Sequence, residues 1–444
     1  MTARRFSPVF AALAALGLAA CDLRPDAEQE RLCRRLIPAL VEAPEAVEVL
    51  AATADQTAHV SLRFRRAGDA ADHWLICRFA GSGFSPAKRD VTGVSLDGQR
   101  LGPSALYYLT SGWLASQEAV AASPPAARQA EAPLVGAGVG YALQHALSAL
   151  PKIGIYALLA ASYALIYGLV GRILLSFGAF LACGGIATGL AVLLADAAGA
   201  GAFPAGAMLG LLAAVVTAGL GGFAAGRLMV VPLAARAGTA VLIASAGLAL
   251  AMEEGLRLAQ GARTLWLAPA FNTPVALART ETFTVTVTPM ALAVAGLAGL
   301  AALGLVVFLQ ASRFGRMWRA SADDALAAEL FGIAPRRVIA GSFALAAGLA
   351  GLAGGLVTLL YGGIGFAGGA GLGLTALIAA ILGGIGSVEG AMLGALVLAL
   401  VEAAWSALLP IELKDAALFA LLAAVLILRP AGLLAGRLPG PMRV

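Results

Sequence analysis

From residue 132 onward the chain is a succession of apolar runs divided by short polar loops; before it, hydrophobic and polar positions alternate over much shorter distances. Runs near 152–171, 173–196, 203–226, 239–259, 288–309, 337–361, 371–387, 389–409 and 412–428 each hold about 17–25 residues, the length a helix needs to cross a hydrocarbon core of about 30 Å. They predict an all-α polytopic membrane body over 132–444 with about 8–9 transmembrane helices. The short run at 371–387 is a candidate re-entrant or broken segment, and a further apolar run at 133–150 leaves one span open. Ahead of this body, Leu32, Cys33, Leu36, Ile37 and Leu40 recur at helical spacing. Residues 59–64 and 73–79 then alternate with period two, Asp97-Gly98 signals a turn, and 105–116 predicts a closing helix. Residues 21–131 therefore predict a small α+β domain ending in a Ser-Pro-Pro linker at 123–127.

Composition sharpens this division. The chain is 60% hydrophobic and only 12% charged, with 55 glycines; that excludes a soluble globular enzyme, a disordered chain and a disulfide scaffold. About half of all charged residues fall before residue 132. Three histidines and four cysteines are too scattered for a metal or haem framework, and nothing reads as catalytic or as needing a cofactor. The net charge of +5 is carried by loop arginines and is not a nucleic-acid footprint. Arg227 and Arg236 flank one loop, Arg313, Arg316, Arg319, Arg336 and Arg337 crowd another, and Arg429, Arg437 and Arg443 close the chain. Placing all three clusters inside requires nine crossings with residue 150 outside.

The N-terminus points the same way. Arg4 and Arg5 precede an apolar run of about a dozen residues, too short to span but suited to a signal peptide over 1–20. Leu18-Ala-Ala-Cys21 resembles the lipobox of bacterial lipoproteins, which implies lipidation at Cys21 and an exported head; the alternative is an ordinary signal peptide ending near a cysteine. Cys33 and Cys77 are then the head's remaining cysteines, and an exported domain of this size favours a bridge between them over two buried thiols.

Two features of the body carry candidate function. Glu253 and Glu254 lie at the end of a span with Arg257 one turn on, so they either snorkel to the outer interface, with Glu253 paired to Arg257, or line an external vestibule. Gly386, Gly390 and Gly394 recur every four residues, a spacing that lets helix backbones approach closely. None of the three lysines, Lys88, Lys152 and Lys414, sits in a Gly-x-x-x-x-Gly-Lys-Ser/Thr loop, so ATP hydrolysis belongs to another chain.

Several stretches resemble the permease family of branched-chain amino acid ABC importers. Residues 154–171 are similar to its first span, Leu382-Gly-Gly-Ile-Gly-Ser-Val-Glu-Gly-Ala-Met-Leu-Gly394 (with Gly383, Gly384, Gly386, Gly390 and Gly394) to its late glycine motif, and 414–434 to its C-terminal span. Residues 314–333 resemble its cytoplasmic coupling segment, which implies that Asp323, Asp324, Ala327, Ala328, Glu329, Leu330, Phe331 and Gly332 dock on an ATPase. The bland alternative is a solvated loop helix. The resemblance covers about 144–435 and implies a second permease subunit, two cytoplasmic ATPases, a periplasmic substrate-binding protein and surrounding membrane lipid as partners. Where the family usually shows Ile-Asn-Phe-Ala-His-Gly-Glu-Phe, this chain has Ile173-Leu-Leu-Ser-Phe-Gly-Ala-Phe180, which motivates the alternative of a receptor on a permease scaffold; the N-terminal extension, which resembles that of urea permeases in the superfamily, motivates a urea or short-amide permease as the other.

Overall fold

The computed structural model describes residues 26–434, apart from 42–46, 56–57, 67–70, 82–84, 125–132, 199–204, 235–237, 262–263 and 269. Cys21, the proposed leader and most of the predicted linker lie outside the described residues. Two compact units emerge: the described residues of 1–140, 196–204 and 268–290, and those of 141–195, 205–267 and 291–444.

The first unit opens with α1 (Ala27–Leu40), whose first turn is capped by the Asp26 carboxylate accepting from the Glu28 amide at 2.9 Å. Five strands follow in an antiparallel meander: β1 (Val47–Asp55), β2 (His59–Arg66), β3 (Asp72–Phe79), β4 (Val91–Leu96) and β5 (Gln99–Arg100). Register pairs Val60 with Cys77 and Leu62 with Leu75, so one face of the sheet is apolar. That face buries Val60, Leu62, Phe64, Leu75, Cys77 and Val94 against Cys33, Leu36 and Ile37 of α1. The predicted Asp97-Gly98 turn joins β4 to β5 with φ of 49° and 83°, the two left-handed residues of a two-residue hairpin. The predicted closing helix is α2 (Pro103–Tyr107), which widens into a π turn over Tyr108–Trp113, and α3 (Gln117–Ala121) follows. The same unit contains a hairpin of β6 (Val275–Arg279) and β7 (Thr284–Val287), to which residues 133–135 add an edge through Val135 N–H donating to Arg279 O at 2.9 Å. The Ala27 amide donates to Thr273 Oγ1 at 3.2 Å, tying the head to the segment before that hairpin.

The second unit is helical: α4 (Ala137–Val170), α5 (Phe177–Ala197), α6 (Ala205–Ala225, continuing through a π turn at Gly226–Val230), α7 (Gly238–Gln260), α8 (Pro289–Ala311), α9 (Arg313–Asp323), α10 (Ala325–Leu330), α11 (Pro335–Tyr361), α12 (Gly368–Gly383), α13 (Val388–Leu408) and α14 (Lys414–Leu428). Among the described residues seven helices are long and apolar enough to cross a membrane, not the 8–9 expected. The shortfall falls at two expected spans, which fold as α12 and α14 with 16 and 15 residues. At 1.5 Å per residue these reach about 24 and 22 Å, short of a 30 Å core. The run at 371–387 is cut by Gly384, whose φ of 108° ends the helix. Ahead of α12 the chain is non-helical: it leaves α11 through Gly362 at φ 85°, packs Ile364 on Gly185 of α5, and reaches Gly178 only at Gly369. Those two contacts stand seven residues apart on α5, so the segment descends along it by about 10 Å. The extra run at 133–150 is no separate span; most of it forms the first half of α4, which has 34 residues and includes Pro151.

Glycine and alanine set the spacing of this unit. A Cβ at Gly354 of α11 would meet the Leu181 carbonyl of α5, and one at Gly222 of α6 would lie 2.9 Å from the Phe343 carbonyl. Helices here touch backbone to backbone, the geometry that small residues permit in membranes.

Candidate functional site

The predicted coupling segment is a helix–turn–helix built by its caps. Ser312 Oγ accepts from the Gly315 amide at 2.9 Å to start α9, and Gly315 abuts the Leu309 backbone too closely for any side chain. Asp324 ends α9 and caps α10, its Oδ1 accepting from Leu326 at 2.9 Å and Ala327 at 3.0 Å. Gly332, at φ 81°, stops α10 in the left-handed conformation, and the Ile333 amide returns to Ala328 O at 3.0 Å. Within this frame Ala328 is buried, Ala327 is half-buried, and Asp323, Asp324 and Glu329 are exposed. Leu330 and Phe331 are 83% and 87% exposed, and Leu326 is exposed as well. α9 is anchored to α4: the Trp318 indole N–H donates to Leu165 O at 3.0 Å and its ring lies over Gly168, where a Cβ would approach to 2.8 Å.

The glycine motif joins α12 to α13. Cβ atoms at Gly383 and Gly394 would run into the carbonyls of Gly390 and Ala379, so any side chain would force the helices apart. Gly384 and Gly386 lie in the turn between the helices, and Ser387 Oγ accepts from the Gly390 amide at 3.0 Å to begin α13. The chain beyond α14 returns here, with Leu433 and Leu434 amides donating to Leu382 O and Gly383 O at 2.9 and 3.0 Å. Residues 51 positions apart, from two separate motifs, thus form one junction.

At 173–180, where the family pattern is polar, the structure packs an aromatic core. Phe177 stacks on Phe343 with centroids 5.4 Å apart and meets Tyr163 edge-on at 5.0 Å; Phe180 closes the group. All four rings are buried. Gly178 persists because a Cβ there would lie 2.5 Å from Gly369 O.

The glutamates at 253 and 254 behave differently from expectation. Arg257 pairs with Glu254 at 2.6 Å, not with Glu253, because the i,i+3 offset brings these two exposed side chains together. In the head, Cys33 and Cys77 are joined as a disulfide between α1 and β3, with Cα atoms 5.9 Å apart.

The buried charge of the helical unit lies elsewhere, at residues the sequence reading did not single out. Glu402 of α13 is the one charged side chain buried there among the described residues. It accepts from Lys152 Nζ at 3.0 Å, from Tyr156 Oη at 2.9 Å and from Lys414 Nζ at 3.3 Å, binding α4, α13 and α14 at one end. The signal was present: Glu402 interrupts the run 389–409, and a carboxylate within a span demands a partner.

A family model described as "Branched-chain amino acid transport system / permease component" matches residues 146–426. The high-affinity branched-chain amino acid transport system permease protein LivH of Escherichia coli (strain K12) is 34% identical over 294 residues, covering 66% of this chain and 96% of LivH. LivH of Salmonella typhimurium is 33% identical over the same shares. The permease protein BraD of Pseudomonas aeruginosa is 30% identical over 66% of this chain and 95% of its own length. No solved structure matches. Helices α9 and α10, the glycine junction, the aromatic core and the Glu402 cluster all fall inside the matched region, and the head lies before it. The chain belongs to the family of branched-chain amino acid transport system permease components, multi-pass membrane subunits of ABC importers that are not themselves enzymes.

Proposed function

We propose that this chain moves branched-chain amino acids across a bacterial inner membrane, working with a second permease subunit, two cytoplasmic ATPases and a periplasmic binding protein. The observation that carries the reading is the exposed Leu326, Leu330 and Phe331 surface on a helix capped at both ends. A short rigid helix with an apolar side in water is suited to a partner's groove. Closure of the ATPases is transmitted through α10 and α9 to the glycine-packed spans, which exchange outward for inward access. The head is periplasmic and tethered at Cys21 after removal of residues 1–20. Supporting the head's placement, its described residues cluster in one compact unit with 268–290, part of a loop that the arginine count puts outside. The Lys152–Glu402 pair also supports crossing by the short α12, since it brings the C-terminal end of α13 to the N-terminal half of α4.

Uptake of labelled leucine and labelled urea, in cells with and without the gene, tests the reading. Loss of leucine uptake alone is expected; loss of urea uptake alone replaces the substrate class, and loss of neither favours a receptor. Phe331→Glu is expected to cut leucine uptake by about tenfold or more, the weight of one interface anchor, with membrane insertion intact. Unchanged uptake in that variant, or in one combining Glu329→Lys with Gly332→Leu, sinks the docking assignment.

A further inference from the structure

One buried carboxylate needs one counter-ion, and Glu402 has two. Lys152 and Lys414 both reach Oε1, while Tyr156 occupies Oε2, so the cluster carries one surplus positive charge inside a membrane protein. A single ammonium already balances the Glu402 charge, and the second leaves its own unbalanced within the cluster. The lysine side chains keep 35% and 29% of their surface exposed against 4% for Glu402, so the carboxylate is buried and the two lysines are within reach of solvent. An ammonium has three donors, and Glu402 accepts only one bond from each. Lys414 is also the first residue of α14, whose N-terminus has no side-chain cap and adds the positive end of a helix dipole. The other charged groups nearby, Glu412 and Asp415, are exposed and make no ion pair with either lysine.

We infer that Lys152 and Lys414, backed by Glu402 and Tyr156, form a receiving site for the free carboxylate of the transported amino acid. The inference rests on the importer reading for the identity of that amino acid; the geometry itself asks only for a carboxylate. Glu402 holds the two ammonium groups together with the repulsion between them offset, and the incoming carboxylate supplies the second negative charge.

The test uses the full-length chain in nanodiscs of zwitterionic lipid, with thermal unfolding followed in the presence of leucine, 4-methylpentanoate or leucinamide. Leucine and 4-methylpentanoate are expected to raise the midpoint, and leucinamide, which has no carboxylate, to leave it unmoved. Lys414→Gln is expected to keep the ligand-free midpoint, because Lys152 and Tyr156 still satisfy Glu402, and to weaken the leucine response about tenfold, the weight of a charged hydrogen bond. Lys414→Arg restores it. An equal response to leucinamide overturns the inference. So does a Lys414→Gln protein with a lowered midpoint and an unchanged ligand response, the behaviour of a structural clamp. A leucine response that disappears on adding phosphatidylglycerol identifies a lipid phosphate as the occupant and likewise overturns it. Leucine uptake without carboxylate-selective stabilisation removes this site and leaves the importer; selective stabilisation without uptake keeps the site and removes the importer.

Discussion

The head and the helical unit solve the packing problem in opposite ways. In the head, large side chains fill the space: Phe64, Leu62, Leu75, Leu36 and Ile37 are wholly buried between one helix and one sheet, and a disulfide crosses that core. In the helical unit the contacts that set helix spacing are backbone against backbone, at Gly184 and Gly351, Gly354 and Leu181, Gly383 and Gly390. The contrast follows from the surroundings. Water drives apolar side chains of a small domain together but leaves too little core for comfort, so a covalent bridge helps. Lipid is as apolar as leucine, so close approach and dispersion replace that driving force. A side-chain core tolerates trimming at moderate cost, whereas a backbone contact tolerates no added atom.

The largest effect separates the two regimes most sharply. Gly354→Leu puts a side chain into the Leu181 carbonyl, with no flexible neighbour to yield, so the loss exceeds the ~1–3 kcal/mol of ordinary overpacking. It is expected to abolish a monodisperse full-length peak in detergent while the head keeps its disulfide; a normal peak would deny that backbone contact sets the helix spacing. Next comes the bridge. Cys33→Ala with Cys77→Ala is expected to cost the head about 2–4 kcal/mol, read as a lower unfolding midpoint for the head alone. An unchanged midpoint would mean the side-chain core suffices by itself. The smallest effect is at the Asp97 turn. Burial works against ionisation there, but the Trp74 amide and His73 Nδ1, each 2.8 Å away, prevail and hold the carboxyl below its ordinary range. A depressed carboxyl stabilises the fold above its unfolded pKa of about 4 and loses that contribution as pH falls through the folded value. Asp97→Asn should therefore flatten the acid limb of the head's stability curve slightly, and an identical limb would remove the assigned role.

Most of the architecture was legible because apolar run length is a strong signal: seven helices fall where the pattern puts them, and the strands at β2 and β3 start within one residue of expectation. The shortfall at α12 was harder. Its non-helical approach, Gly362-Gly-Ile-Gly-Phe-Ala, is as apolar as a helix and only its glycine density marks it. The Glu254–Arg257 pair was misread by one residue because i,i+3 and i,i+4 partners are both within reach on a helix. Glu402 stands out within its span, but its partner Lys152 lies 250 residues away, and no local pattern announces a partner at that separation. The helix α10 was visible through Asp324 and Gly332, since caps are local, but the anchor of α9 to α4 through Trp318 is long-range and was not.

α4 gives these distant features a common member. Its C-terminal half receives Trp318 at Leu165 and Gly168, and Lys152 meets Glu402 sixteen residues before Gly168, about 24 Å away along an unbroken helix. Pro151, which has no amide hydrogen to donate to the preceding turn, stands immediately beyond Lys152. The helix is therefore stiff between its two points of attachment and has its one weak joint just outside them. A displacement at Trp318 arrives at the lysine as a translation of the whole strut, while bending at Pro151 is opposed on its other side by Tyr141, whose hydroxyl donates to Ala407 O at 2.6 Å.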